Sequence, residues 1–589
     1  SEFCIRRPVF TILLMLAIVV AGVAGYRSLA VSALPRVDFP TIQVSANLVG
    51  ASPETMASSV ATPLERQFST ISGVTSMTST SFLGSTQITL QFDLNRDIDG
   101  AALDVQTAIA ATLKRLPAEM NAPPSFQKVN PADQPIFFIA VSSDTLPISK
   151  VNEYADTLMA QRISTISGVA QVQIYGAQKY AIRVQADPQK LAAYDLDFKE
   201  LSDAISGASS NVPVGVISGD KQFFNLKVMG QPSNADGFRP LVIAYRNGAP
   251  VRLSDVATIS DSVEDLRSIG NINGKKSVVL AIQRQADANT IEVVENVKKL
   301  LPIFREQLPA SVQLTPMFDR SVSIKHSVDD VQFTLKLTVF LVVLVIFLFL
   351  RKVTATIIPA IAVPLSIIAT YGIMAVLGFS INNVSLLALT LCVGFVVDDA
   401  VVMLENIVRH IENGEKPFEA ALKGSREVGF TIVSMTLSLV AVFIPVLFMG
   451  GIVGRLFREF AVTISVAILV SGFVSLTLTP MLCSRFLRPE LKEHKKELWF
   501  EKLLALYERT LKKVLRHQRL TLIITILSFV ATIVAFIAIP KGFFPMEDTG
   551  FVFASTEAAQ DISYEAMVEK QKQAAEIVRA DPAVENVFY

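Results

Sequence analysis

GFVVDDAVVMLEN, residues 394–406, places two adjacent acids, Asp398 and Asp399, inside a long apolar segment. An acidic side chain at the centre of a membrane helix costs about 2.5–3.5 kcal/mol on insertion scales, so two in succession indicate a function. Successive helical residues point about 100° apart, so both acids face a bundle interior only where neighbouring helices enclose them. Burial and mutual repulsion favour the neutral form of at least one acid, which predicts a proton-binding site.

Glu405 follows Asp398 by two helical turns on the same face, and we expect it to extend a proton path toward the helix end. The residues leave two other interpretations open, a structural hydrogen-bonded pair and a cation site. We favour the proton relay because ionisable residues within membrane segments are functional by default.

Composition places the chain among membrane proteins. Of its 589 residues 51% are hydrophobic and 18% are charged, and the mean hydropathy is +0.45. A formal net charge of zero gives no indication of nucleic-acid binding. The four histidines are scattered, and the three cysteines lie in or beside apolar segments, so we expect neither a metal site nor a disulfide. The sequence contains no Gly-x-x-x-x-Gly-Lys-Ser/Thr loop, and we expect protons rather than ATP or another cofactor to supply energy.

Seven apolar segments predict seven transmembrane helices: one in residues 1–27, five in 329–484 and one in 519–540. The N-terminus and most loops between these segments are basic, and the positive-inside rule then exports the polar residues 28–328. Arg455 and Arg458 are the exception, since they lie in a connection on the exported side. Residues 485–518 are basic and amphipathic, which favours a helix along the cytoplasmic membrane face, with a plain linker helix as the alternative.

A repeated pattern follows the first and the last apolar segments. Because the later segment is internal and cannot be a cleaved leader, we interpret the first as a membrane helix rather than a signal peptide. The chain is therefore expected to hold one full repeat and the opening of a second, as the first half of a longer protein. The matching residues are Pro35, Asp38 and Ser45 in the first copy and Pro545, Asp548 and Ser555 in the second.

The exported region alternates strands and amphipathic helices in the order of the ferredoxin-like split βαβ pattern. STISGV recurs at 69–74 and 164–169, each time between a helix and a strand. We predict a first unit at 28–133 and a second unit at 134–172 and 263–328. A strand- and turn-rich insertion at 173–262 interrupts the second unit, and 541–589 opens a third.

Several motifs together are similar to the resistance–nodulation–division (RND) superfamily, specifically its hydrophobe/amphiphile efflux branch of bacterial multidrug pumps. The heavy-metal branch typically lacks a second acid directly after the first, so this chain resembles the branch for organic substrates. The stretch SALPRVDFPTIQV (32–44) is most similar to the subgroup whose pumps assemble from two different subunits. The motifs are RRPVF (6–10), FSIN (379–382), DDAVVMLEN (398–406), FMGG (448–451), LTP (478–480) and the repeated Pro-x-x-Asp.

The resemblance implies an α-helical polytopic membrane protein with exported ferredoxin-like porter subdomains and an inserted docking subdomain, whose arm lies near Ser209–Gly219. It implies a proton-driven drug antiporter, not an enzyme, that forms a homo- or heterotrimer in the bacterial inner membrane. A periplasmic adaptor and an outer-membrane channel complete such a pump. The relay's cationic partner would be a lysine beyond Tyr589, since Lys336 lies near a helix end and is expected to snorkel.

By the same resemblance, the substrate pocket falls near Phe137, Phe138, Gln173, Tyr175 and Gln178. Aromatic faces with a few amides suit large, varied amphiphilic ligands. Phe137 and Phe138 are adjacent on a strand and point to opposite faces, so we expect at least one in the core. Two further classes stay open: an RND-type transporter of lipids, metals or a biosynthetic product, and a non-transporting membrane scaffold.

Overall fold

The computed structural model describes most of the chain. Two predicted features lie outside the described residues: Pro545 and Asp548 of the second repeat, and much of the arm near Ser209–Gly219. The described residues are 1–589 except 36, 121, 131–133, 210–214, 226–231, 247, 286–287, 351, 488–497, 542–549 and 560.

The chain begins with two helices and then enters the first α+β unit, a four-stranded antiparallel sheet with helices on one face. The strand order is β2-β3-β1-β4, so β3 lies between β2 and β1, which is the split βαβ arrangement. Ile42, Val44, Ile88 and Leu90 lie in its core under the helices. The elements are α1 (Glu2–Arg6), α2 (Pro8–Ser28), β1 (Thr41–Asn47), α3 (Pro53–Thr55), α4 (Thr62–Phe68), β2 (Val74–Phe82), β3 (Ser85–Phe92), α5 (Ile98–Thr112) and β4 (Ser125–Val129), with a π-helical segment at Met56–Ala61.

The second α+β unit repeats this topology, with the strand order β6-β14-β5-β15 and an extra short strand, β13, beside β14. The insertion leaves the sheet after β6 and returns before β13. β6 continues through Tyr175, which pairs with Val279, so the insertion starts later than the predicted residue 173. The elements are β5 (Phe137–Ser143), α6 (Ile148–Glu153), α7 (Gln161–Ser164), β6 (Val169–Tyr175), β7 (Tyr180–Ala186), α8 (Pro188–Ala193), α9 (Phe198–Ala208), β8 (Val216–Ser218), β9 (Phe223–Asn225), α10 (Ala235–Phe238), β10 (Val242–Arg246), β11 (Ala249–Arg252), α11 (Leu253–Val256), β12 (Ala257–Val263), β13 (Asn271–Ile272), β14 (Lys275–Arg284), α12 (Thr290–Gln307) and β15 (Val312–Asp319), with a π-helical segment at Tyr154–Ala160.

The insertion has its own small core, and the antiparallel pair β7–β12 connects it to the second unit. The hairpin β8–β9 presents four large apolar side chains to the outside: Val216, Ile217, Phe223 and Phe224 are all more than half exposed.

Among the described residues, seven helices are long and apolar enough to cross a membrane: α2 and six of the helices that follow β15. α13 starts directly after β15, so the helix begins before the predicted boundary at residue 329. α14, α15 and α17 form the buried centre, while no described side chain of α19 is buried. The elements are α13 (Arg320–Leu350), α14 (Val353–Val376), α15 (Asn383–Glu412), α16 (Pro417–Leu447), α17 (Gly451–Phe486), α18 (Leu498–Arg516), α19 (Gln518–Ala538) and α20 (Tyr564–Arg579).

Glycines allow α2 to pack directly on the backbone of α14. A Cβ at Gly22 would lie 2.2 Å from the carbonyl oxygen of Ile368, and a Cβ at Gly25 would lie 2.7 Å from the Cα of Gly372. Small residues allow such close approach between helices in a membrane, where packing contacts rather than water exclusion hold them together.

Gly22→Ala is expected to destabilise the helix bundle, because the added methyl group meets backbone and α2 must move away from α14. Overpacking of this kind costs about 1–3 kcal/mol. The measurement is the thermal unfolding of the purified protein in detergent. Gly429→Ala is the matched control, since a Cβ at Gly429 on α16 has no described atom within 4 Å beyond its own stretch of helix. Equal melting temperatures for the two variants would contradict the close packing of α2 on α14.

Candidate functional site

The helix that carries the two acids has a firmly fixed start. Asn382 caps α15: its Oδ1 accepts a hydrogen bond from the Ser385 backbone N–H at 2.9 Å, and the Ser385 Oγ accepts one from the Asn382 N–H at 3.0 Å. This reciprocal pair satisfies two backbone donors that the first helical turn would otherwise leave unpaired. The cap therefore fixes the residue at which α15 begins.

Asp399 points into the helix bundle. Its side chain is 1% exposed, and Ser471 of α17 lies close enough to interact with the carboxylate. Ser471 also donates a hydrogen bond to the Val396 carbonyl oxygen at 3.0 Å, which ties α17 to α15 one turn before the acid. The Asp399 Oδ2 has no hydrogen-bond partner among the described residues. A buried acceptor without a donor costs about 1–3 kcal/mol, and a negative charge there costs more unless it is paired.

Asp398 points away from the described bundle and is exposed, as is Glu405. They share one face of α15 with Leu387, Leu391 and Gly394, spaced three, four or seven residues apart, so this face is a continuous stripe. The described chain thus encloses one acid of the pair and leaves the other on an uncovered face. Neither acid forms an ion pair among the described residues, and Lys336, which is expected to snorkel rather than to pair with the acids, is exposed on α13.

The second part of the site lies on the sheet of the second α+β unit. Antiparallel residues that lie directly opposite one another share a face, and Ala281 of β14 is opposite both Phe138 of β5 and Gln173 of β6. Phe318 of β15 is opposite Phe138 in turn. These four residues form a row across four strands, which we call the open-face row, because the helices of this unit pack on the other face of the sheet.

Aromatic rings cluster at one end of the open-face row. Phe138 and Phe318 have ring centroids 6.1 Å apart, and Phe551, from the last part of the chain, lies 4.7 Å from Phe318. Phe551 stacks on Phe138 with an interplanar angle of 18°. The chain end also pairs with β13, since Asn271 and Tyr589 exchange backbone hydrogen bonds at 2.7 and 3.0 Å.

The structure distributes the five predicted pocket residues over three environments. Phe138, Gln173 and Tyr175 lie on the open face, where the Tyr175 hydroxyl donates to the Gln173 Oε1 at 2.8 Å. The prediction for Phe137 is corrected: it is fully buried under the helices, because alternation along β5 turns it to the opposite face from Phe138. Gln178 lies beyond the sheet, and its Nε2 donates to the Ser268 carbonyl oxygen at 2.6 Å, which ties the two connections to the insertion together.

Sequence reasoning missed Phe318, Phe551, Ser471 and the buried acid Glu459 of α17, which is 6% exposed. A strand register would have found Phe318, since it is opposite Phe138. For Ser471 no local signal exists, because its role depends on which face of α17 meets α15. Among the described residues, no group of three or more His, Cys, Asp or Glu side chains is placed to hold a metal ion.

Seven long apolar helices, a buried acid in a central helix and attached β-sheet units define an integral membrane protein of the RND transporter class. The model of the AcrB/AcrD/AcrF family matches residues 1–589, the whole chain, and the chain belongs to that family. Members of the family are transporters rather than enzymes, and they generally form trimers with adaptor and outer-membrane channel partners.

Proposed function

We propose that this chain is a subunit of a proton-driven multidrug efflux transporter, in which Asp399 binds the coupling proton. The observation that carries the proposal is the unpaired Oδ2 of Asp399 at a fully buried position in α15. A site of this kind favours a bound proton, because protonation removes a charge that nothing described there neutralises. Asp398 and Glu405 extend the relay along the uncovered face of α15, where a cation from the rest of the assembly would complete it.

The open face of the second unit supports an organic, amphiphilic substrate. Stacked rings at Phe138 and Phe551 offer apolar area that demands little exact geometry of a ligand. Gln173 and Tyr175 add a polar edge that orients a ligand without restricting it to one chemical group. Antibiotics, dyes, detergents and bile salts share this chemistry, and metal ions do not.

The proposal includes the assembly that the family implies. The two α+β units serve as porter subdomains in the periplasm, and the insertion serves as the docking subdomain toward neighbouring subunits and the outer channel. The exposed apolar hairpin β8–β9 supports a docking role, because such side chains are favoured where a partner covers them. The transporter is then a homo- or heterotrimer in the inner membrane of a Gram-negative envelope, joined to a periplasmic adaptor.

To test this proposal, the complete native transporter is expressed together with its adaptor and channel in bacterial cells that lack their own efflux pumps. We expect low accumulation of rhodamine 6G, a rise to the pump-free level when a protonophore is added, and increased resistance to bile salts. Resistance to copper, zinc and silver is measured in the same cells. A phenotype for metals alone would refute the drug assignment, and dye export that a protonophore does not affect would refute proton coupling.

A further inference from the structure

Arg455 lies in a connection on the exported side, where the positive-inside rule does not predict a cation. In the structure its side chain contacts the first α+β unit. It lies in the first turn of α17 and donates hydrogen bonds to two backbone carbonyl oxygens of the first α+β unit. Its Nη1 reaches the Asp38 oxygen at 3.4 Å, and its Nη2 reaches the Leu94 oxygen. Asp38 precedes β1 and Leu94 follows β3, so one guanidinium connects α17 to both central strands of that sheet.

Glu459, one turn further along α17, connects the same helix to the start of α15. Its Oε1 accepts a hydrogen bond from the Ser380 backbone N–H at 2.6 Å, and its Oε2 accepts one from the Asn382 Nδ2 at 2.8 Å. Asn382 is the residue that caps α15. Glu459 is buried, so water does not compete for these two hydrogen bonds.

The loop that Glu459 binds is linked to the second α+β unit through residues 30–32. Ser32 donates its N–H to the Ile381 carbonyl oxygen at 3.0 Å, and Ile381 donates to the Ala30 oxygen at 2.8 Å. The Val31 carbonyl oxygen then accepts from the N–H of Thr290, the first residue of α12, at 3.1 Å. Hydrogen bonds and the short backbone segments between them therefore link α17, the start of α15 and a helix of the second unit.

We propose that Arg455 and Glu459 are the positioning residues that transmit the protonation state of Asp399 to the two α+β units. This inference rests on the proposed function. Asp399 lies at the contact of α15 with α17, so a change in its charge alters how these two helices pack. Both residues are on the first turns of α17, and a displacement of that helix moves the first unit through Arg455 and the α15–α12 connection through Glu459. Neither residue contacts substrate.

The test is a thermodynamic cycle on the complete purified transporter, with rhodamine 6G as the probe and fluorescence polarisation as the measurement of its Kd. Asp399→Asn imitates the neutral acid. If the two sites are coupled, this substitution changes the dye Kd by fivefold or more, within the usual range of coupling between sites. In an Arg455→Ala or Glu459→Gln background, we expect the same substitution to change the Kd less than twofold.

Three substitutions distinguish a loss of coupling from a loss of structure. Arg458→Ala is the matched control, because Arg458 is exposed on the same turn and forms no hydrogen bond or ion pair with the described residues, so the full effect of Asp399→Asn should remain. Arg455→Lys keeps the positive charge but replaces two donor nitrogens by one, so it should retain part of the effect. Glu459→Gln keeps the acceptor for Ser380 but turns an amide N–H₂ toward the Asn382 Nδ2, so one bond is lost while the volume stays the same.

The outcomes separate the two proposals. If Asp399→Asn keeps its full effect on the dye Kd in both backgrounds, the coupling route is overturned and the proposed function stands. The coupling route through Arg455 and Glu459 is also overturned by a second result. In that result dye export depends on protons, but Asp399→Asn does not change the dye Kd of the protein that carries no other substitution. If dye export itself is absent or insensitive to a protonophore, the proposed function fails, and the route fails with it.

Discussion

Asp399→Asn is expected to abolish proton-driven dye export while leaving the protein folded. Asparagine has nearly the same volume as aspartate and fits the buried position beside Ser471, but it cannot bind and release a proton. A permanently neutral side chain holds α15 and α17 in one arrangement, so the cycle stops. We expect the initial rate of rhodamine 6G export to fall at least about tenfold, an effect of about 1.4 kcal/mol or more. Cells that carry the variant should accumulate dye as pump-free cells do.

Substitution of the other acids of α15 is expected to reduce dye export by different amounts. Asp398→Asn is expected to give the same loss, because the proposed relay uses both neighbouring acids, although only Asp399 is enclosed by the described chain. Glu405→Gln should reduce export less, since this exposed acid lies nearer the helix end. Glu412→Gln at the last residue of α15 serves as the control and should leave export unchanged. Unaltered dye export by Asp399→Asn, with equal amounts of protein in the membrane, would refute the proton-binding assignment.

Hydropathy and the cost of buried charge identify α15 as the central helix, but they do not tell which acid is enclosed. Asp398 and Asp399 differ by about 100° in direction, and the choice between them depends on the contact with Ser471 of α17, which lies about seventy residues further along the chain. Ser471 meets α15 only because two long helices pack at one particular angle. The local sequence does not determine that angle. The burial of Asp399 but not Asp398 therefore depends on tertiary packing.

The charge pattern of the loops also cannot be explained from local sequence alone. Arg455 departs from the positive-inside bias, and the sequence gives no reason for the exception. The reason is a pair of carbonyl oxygens, at Asp38 and Leu94, that lie far away in sequence. Glu459 was missed because a single acid near a helix end is ordinarily placed at the membrane interface, whereas here it is buried against a helix cap.

In the second unit, alternation along β5 predicts that Phe137 and Phe138 face opposite ways, which the structure shows. The sequence does not tell which face the helices cover, because the amphipathic helix α12 fits either side of an isolated strand. The open-face row also needs the register of four strands, and Phe551 reaches it from a distant part of the chain. The resemblance named Phe138, Gln173 and Tyr175, which share the open face, but it did not name Phe318, which lies beside Phe138 only through the strand register.

These two adjacent phenylalanines are expected to give opposite results when each is shortened. Phe137 is fully buried among the helices and strands of the second unit, and Phe137→Ala should destabilise the protein by about 3–5 kcal/mol through the cavity that it leaves. Phe138 stacks on Phe551 on the other face, so Phe138→Ala should leave the melting temperature nearly unchanged and weaken binding of rhodamine 6G severalfold. The measurements are thermal unfolding and fluorescence polarisation on the same purified samples. Phe137→Leu, which largely fills the cavity, should recover most of the stability. If Phe138→Ala unfolds the protein as readily as Phe137→Ala, the open-face row is a structural core and the substrate must bind elsewhere.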